Sequence, residues 1–254
     1  MRRNSVPAVR VRSPGRPAGL GRLVVVRHRL LLIPGAPLLV PELSGADPAA
    51  ARLRAACVAA AGAVLADGPR PLIVRRPDDR FATTHTGSFR AWGADVDVAG
   101  GNHLPELVAR WVIGAAGRDA GDVDLAAQLP DPFDFRDVTV DGEPRPIVVV
   151  AEGPAALTAR APLTLLDGAQ RIDDICAAIA AGDDAALAEG SDPFGDVGPS
   201  ACAEVGLGTV GVWQDLAAFG AALRMGARDF TAHATYRDAS HGVGYHVAEW
   251  GWTA

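Results

Sequence analysis

Apolar residues along the chain fall into two kinds of pattern. The first is the short continuous run. Leu23 to Ile33, Pro71 to Val74 and Ile147 to Ala151 are dominated by Val, Leu and Ile, without polar alternation. Runs of this kind predict strands buried on both faces of a sheet. The second pattern has helical spacing. Leu53, Cys57, Ala60 and Val64 follow Asp47-Pro48, an N-cap residue with proline in the first turn, and Gly68-Pro69 closes the element. Leu104, Leu107, Val108 and Trp111 share a face around Pro105. Ile172, Ile175, Cys176 and Ile179 mark a further helix that Gly182 stops. Asp183 begins a short helix through Glu189, and Ala201 to Leu223 reads as one long helix. Gly206, Gly208 and Gly211 lie inside that long helix at a cost in propensity.

Three segments are less regular. Phe89 to Val98 has some alternation and predicts a strand. Gly117 to Pro146 is rich in Asp, Gly and Pro, with a hairpin expected around Val138 to Gly142. Gly242 to Trp250 alternates like a strand. Strands alternating with helices define an α/β protein. The expectation is a central, mostly parallel or mixed sheet flanked by helices on both faces, formed by a single domain over residues 23–254.

The stretch LLLIPGAPLLVPEL (30–43) positions the rest. It reads as a buried strand emptying into a Pro/Gly turn. Ligands of α/β proteins collect outside the carboxyl ends of such strands. Pro34 and Gly35 in this loop, and Gly153 in the loop after Ile147–Ala151, are therefore expected to line a pocket.

Charge divides the chain. All 24 basic residues are Arg, against 30 acids. Residues 1–29 hold eight of the arginines and no acid. Residues 1–22 read as a basic extension of disordered composition. The remaining body is acidic, which argues against nucleic acid and anionic membranes as partners. No clean apolar run of about 20 residues is present, so no membrane span is expected. Cys57, Cys176 and Cys202 are widely spaced, and this suits a reducing, cytoplasmic setting.

Candidate chemistry is sparse. There is no GxSxG elbow, and neither Gly206-Leu207-Gly208 nor Gly242-Val243-Gly244 has the strand-to-helix setting of a phosphate loop. Cys202 is near an expected helix start, where a thiol pKa falls, although a buried structural thiol fits its apolar context. His103 and Glu106 share a helix face. Glu152 ends a buried strand, where a carboxyl with raised pKa can act as a base or can cap the following turn. His241 and Tyr245, four apart, share a face of the expected final strand. Glu152, His241 and Tyr245 are accordingly the candidate catalytic residues. His241 and His246, five apart on the expected strand, point to opposite faces, so they cannot share a metal unless a bulge intervenes.

The order of the motifs resembles the class III extradiol ring-cleavage dioxygenases of the LigB catalytic-subunit type. The resemblance is closest to their small, alanine-rich actinobacterial branch. It is carried by LIPGAPLLVPEL (32–43), TGSFRAWGADVDV (86–98), IVVVAEGPAALTARAP (147–162), RIDDICAAIAAGDDAAL (171–187) and YRDASHGVGYHVAEW (236–250). It implies an α/β sandwich, an oxidoreductase activity and a non-haem Fe(II) held by two His and one Glu, with a further His as acid and base. The matching positions differ here. Pro34-Gly35-Ala36-Pro37 and Arg75-Arg76-Pro77-Asp78 stand where the ligand imidazoles belong. Glu152-Gly153-Pro154-Ala155-Ala156 stands at the catalytic His loop, and Arg237 or Asp238 stands near the Glu position. Gly, Ala and Pro side chains offer no lone pair, and a guanidinium is donor-only.

Three readings follow. The first is a LigB-like fold without the usual iron ligands that binds a small aromatic ligand. The second is an active ring-cleavage dioxygenase with a rearranged site, drawing its ligands from His85, His241 and Asp238 with Glu152. The third is an interaction protein working through the Arg-rich extension. Homo-oligomer formation is compatible with each.

Overall fold

The continuous apolar runs become neighbouring strands of one sheet in the computed structural model, which describes residues 27–66 and 68–253. The basic extension and the first four residues of the Leu23–Ile33 run lie outside the described residues.

In chain order the elements are β1 (His28–Ile33), α1 (Pro41–Ser44), α2 (Pro48–Leu65), β2 (Leu72–Val74), α3 (Leu104–Ala115), β3 (Asp124–Ala126) and α4 (Phe135–Val138). A small hairpin, β4 (Thr139–Val140) with β5 (Glu143–Pro144), precedes β6 (Ile147–Val150). Then come α5 (Ala169–Ala181), α6 (Gly198–Glu204), α7 (Val210–Gly226), β7 (Asp229–Asp238) and β8 (Tyr245–Thr253). The main sheet has the order β3-β2-β6-β1-β8-β7. β1, β2, β3 and β6 run parallel, while β8 is antiparallel to β1 and to β7. The sheet is therefore mixed, with helices on both faces.

Alternation within the strands sorts their side chains into two cores. Leu30, Leu32, Val149, Trp250 and Trp252 face α5, α6 and α7. Leu31, Ile33, Val148, Val150 and Val247 face α2 and α3. Every residue of β6 is buried, which is why its sequence shows no polar alternation. At about 25 cal/mol per Å², each fully buried Leu or Ile contributes roughly 1.5–3 kcal/mol. Among the described residues one helix, α2, is long and apolar enough to cross a membrane. Here Leu53, Cys57, Ala60, Ala61 and Val64 bury its apolar stripe against the sheet instead.

Several local expectations match. Asp47 caps α2 by accepting from the Ala49 and Ala50 N–H groups at 2.8 and 3.1 Å. The expected hairpin turns at Asp141-Gly142, both with positive φ (52° and 84°), as a tight two-residue turn requires. Gly182 ends α5 with φ +69°.

Other expectations are corrected. Ala201–Leu223 is not one helix: it breaks between α6 and α7, where Gly206 adopts φ +79°. That turn lets the Ala155 N–H reach the Val205 carbonyl at 2.8 Å. Residues 183–189 form turns rather than a helix, although the Asp183 side chain does cap the Ala185 N–H. Phe89–Val98 contains a short helical turn at Arg90–Trp92 and one isolated bridge, Ser88 with Asp97, in place of a strand. Two strands had no clear sequence signal. β3 has only three residues, and the ten-residue edge strand β7 is largely exposed, so burial imposes no regular pattern on it.

Candidate functional site

β1 leads to α2 on one face of the sheet, whereas β6 leads to α5 on the other. The loops leaving these adjacent parallel strands diverge at their carboxyl ends, the usual location of an α/β ligand site. Pro34 and Gly35 form one side. Glu152 and Gly153 form the other.

Two glycines close the floor between these loops. Beyond the end of β1, the chain after β6 and the chain before β8 meet directly. The Gly153 N–H donates to the Gly244 carbonyl at 2.8 Å, and the Gly244 N–H donates to the Pro154 carbonyl at 2.9 Å. A Cβ on Gly153 would come within 2.9 Å of the Gly244 Cα, and one on Gly244 would overlap Asp173 Oδ1. Only glycine permits this approach. The crossing places Glu152 and Tyr245 on the α2/α3 side of the sheet. Tyr245 packs in that core, and Glu152 Oε1 lies where a Gly35 side chain would begin, 2.7 Å from an ideal Cβ there and beside Pro105 of α3.

Glu152 is held by its backbone. Its carbonyl accepts from Thr209 Oγ1 and from Trp213 Nε1, both at 2.8 Å. Trp213, which reads as a core residue in the sequence, therefore also anchors the site. Burial pushes the pKa of the carboxyl itself up. Among the described residues no Arg or His side chain pairs with it. Tyr245 is 4% exposed. Its hydroxyl pKa is raised, first by burial and then by the nearby carboxylates Glu152, Asp238 and Asp47.

His241 flanks this pair. It lies in the turn before β8, not on the strand, yet its ring sits edge-on to Tyr245 with centroids 6.2 Å apart. Its Nε2 meets Asp47 Oδ2 at 2.7 Å, while its Nδ1 is buried without a partner. The hydrogen bond to His241, with those from Ala50 and Ala49, holds the Asp47 carboxyl down at about 2.

A second buried network braces the floor. His246 Nε2 meets Asp173 Oδ1 at 2.9 Å, and Arg237 Nε donates to Asp173 Oδ2 at 3.0 Å. Burial alone would raise the Asp173 carboxyl, but His246 and Arg237 keep it low. His246 and His241 diverge, because His241 lies in the turn rather than on the expected strand: one bonds Asp173 of α5 and the other Asp47. On the opposite flank, Glu106 is buried between Arg75 and Arg110, at 2.9 and 3.0 Å. Its expected neighbour His103 precedes α3 without making a side-chain cap.

At the carboxyl ends of the strands, Gly35 lies against Glu152, Gly153 against Gly244, and the His241 ring beside Tyr245; Pro34 precedes Gly35 in the same loop. His85 is not part of it; it is exposed in the loop before Phe89. Asp238 pairs in register with Tyr245 but accepts from Ser240 Oγ at 2.7 Å. Among the described residues no three His, Cys, Asp or Glu side chains converge in a way that could hold a metal. An Fe(II) site built from His85, His241 and Asp238 does not fit, because the three form no such cluster and His241 is engaged with Asp47. Cys202 is buried in α6 and its thiol is pushed up by burial, the opposite of activation. Asp47, Asp173 and Trp213 are site-supporting residues that sequence reasoning missed. The N-cap pattern at Asp47 was the only local signal for any of them.

Compared with known proteins, the chain matches no family model, and no curated protein matches it significantly.

Proposed function

We propose that this chain is a LigB-like α/β protein of the cytoplasm that binds a small ligand at the strand ends around Glu152, without the family's iron chemistry. The single observation that carries the reading is Glu152. It is a desolvated carboxyl without a charged partner among the described residues, at the strand ends where the β1 and β6 loops diverge. A carboxyl shifted by desolvation at a strand-end loop is a functional-site candidate. The motif order supports the family assignment. The non-imidazole residues at its ligand positions support a binding role over ring cleavage.

The test combines metal analysis of protein purified without oxygen, a catechol-cleavage assay, and ligand-detected NMR with catechol. The expected result is no stoichiometric iron, no ring-cleaved product, and catechol binding that Glu152→Gln weakens. Full Fe(II) occupancy with catechol turnover would establish the rearranged dioxygenase instead.

A further inference from the structure

We propose that β7 is the seam of a two-fold dimer. It pairs antiparallel with β7 of a second copy, with His233 on the axis and the flanking helices of the two copies meeting on either side. This is independent of the small-ligand reading.

The first argument is the edge itself. β7 closes one side of the main sheet, and among the described residues it pairs only with β8. An open edge presents a row of unpaired N–H and C=O groups, which proteins blunt with short strands, prolines or charges. β7 has ten residues and no Pro, and no acid or arginine lies between Phe230 and Tyr236. Its charged ends are neutralised within the chain, Asp229 by Arg27 at 3.8 Å and Arg237 by Asp173 and Asp174. The protein carries a net charge of −6. Copies therefore repel over most of their surface and approach best at a neutral face.

The residues along the edge are self-complementary. Thr231-Ala232-His233-Ala234-Thr235 reads the same in both directions. A two-fold pair centred on His233 sets Ala232 against Ala234 of the second copy, and Thr231 against Thr235 of the second copy, a favourable cross-strand pairing. The one protective device is a bulge: the register on β8 shifts between Ala234 and Tyr236. It falls at Thr235, where this pairing ends.

The second argument comes from the helices. So short an edge ladder is too small for a stable dimer, which buries about 800 Å² per partner, so the layers flanking β7 have to meet as well. A two-fold axis perpendicular to the sheet keeps α2 on the side of its copy, and α5 likewise. Arg52 of α2 reaches the Tyr236 hydroxyl. Ala55, Ala59 and Ala63 lie on the same face of α2, and all three are exposed. α2 follows β1 and runs opposite to β7. Seven residues beyond Arg52, about 10 Å along the helix, Ala59 comes level with His233, three residues or about 10 Å back along the strand. On the other side of the sheet, Asp174 of α5 bonds Arg237, and Ala178 and Ala181 share its helical face. Solvent-facing stripes of surface helices normally carry charge. Here alanines adjoin a neutral edge, and small side chains let helices pack closely.

The test is sedimentation velocity of the full chain over a concentration series, joined to cysteine cross-linking. Cys57, Cys176 and Cys202 are buried, so Thr231→Cys, His233→Cys and Thr235→Cys each add one reactive thiol at an exposed position. The expected result is a dimer in which mild oxidation cross-links position 233 most fully, because only a residue on a two-fold axis meets its own copy. His233→Lys sets two ammonium groups face to face, and Ala59→Glu sets two carboxylates where the α2 helices meet. Each should weaken dimerisation at least about tenfold, the effect of like charges across an interface, with unchanged circular dichroism. A monomeric chain at micromolar concentration would overturn the proposal, and sedimentation of the unsubstituted chain decides this without any variant. Cross-linking that is not strongest at position 233, or a dimer that either charged variant leaves intact, would also overturn it. So would a monomer whose β7 amides resist hydrogen exchange until residues 1–26 are removed, which would assign the edge to the chain's own N-terminal extension.

Discussion

At the residue scale, the site depends on two kinds of side chain: those absent from the floor and those paired at its rim. Gly153 and Gly244 are required by contact, not by turn geometry. Gly153→Ala or Gly244→Ala should each destabilise the protein by about 1–3 kcal/mol, the range of overpacking strain. A fall in the urea midpoint at unchanged slope would show this; an unchanged midpoint would mean the loops separate freely. Asp47 supports a pH prediction. Its carboxyl is held at about 2, below its ordinary 3.8. A depressed carboxyl contributes stability above its unfolded pKa and loses that contribution as pH falls through the folded value. Asp47→Asn, which retains a capping oxygen but not the charge, should therefore lower the melting temperature near neutral pH. The gap from wild type should close between pH 3.8 and about 2. A gap that persists at lower pH would assign the effect to packing.

At the element scale, the break between α6 and α7 matters most. Helical periodicity runs through Ala201–Leu223, yet Gly206 turns the chain at φ +79° so that α7 can direct Thr209 and Trp213 at the Glu152 carbonyl. A Cβ on Gly206 would meet Leu163 Cδ1 at 2.7 Å, and the left-handed conformation costs a non-glycine residue about 1–2 kcal/mol. Gly206→Ala should lower the unfolding midpoint without adding helix by far-UV circular dichroism. A gain of helix with no loss of stability would show that the break is not imposed by packing.

At the scale of the whole molecule, one sheet serves two cores. Trp213, Trp250 and Trp252 report on the α5–α7 side, while Trp92 and Trp111 lie on the α2/α3 side. Because both layers pack on the same strands, neither can lose its sheet without the other. Urea unfolding followed by tryptophan fluorescence and by circular dichroism should give coincident transitions, as two-state unfolding requires. Separate midpoints would show that the layers unfold independently.

The elements were legible in the sequence wherever burial leaves a periodic mark. β1, β2 and β6 are apolar on both faces, α2, α3 and α5 carry one apolar stripe, and Asp47, Asp141-Gly142 and Gly182 mark their own caps and turns. β7 was not legible because an exposed edge strand carries no such pattern. The α6–α7 break was hidden because a single glycine does not announce its dihedral angle. Glu152, His241 and Tyr245 stood out as residues of the right chemistry at strand ends. Their assembly did not, because it joins positions up to 194 apart, as in the His241–Asp47 pair. Hydrophobic periodicity is a local property, and so the sequence by itself determined the layers and the edge at which a site would lie. Which carboxylate gains a partner and which stays uncompensated depends on distances between segments remote in sequence, and only the tertiary structure decided that.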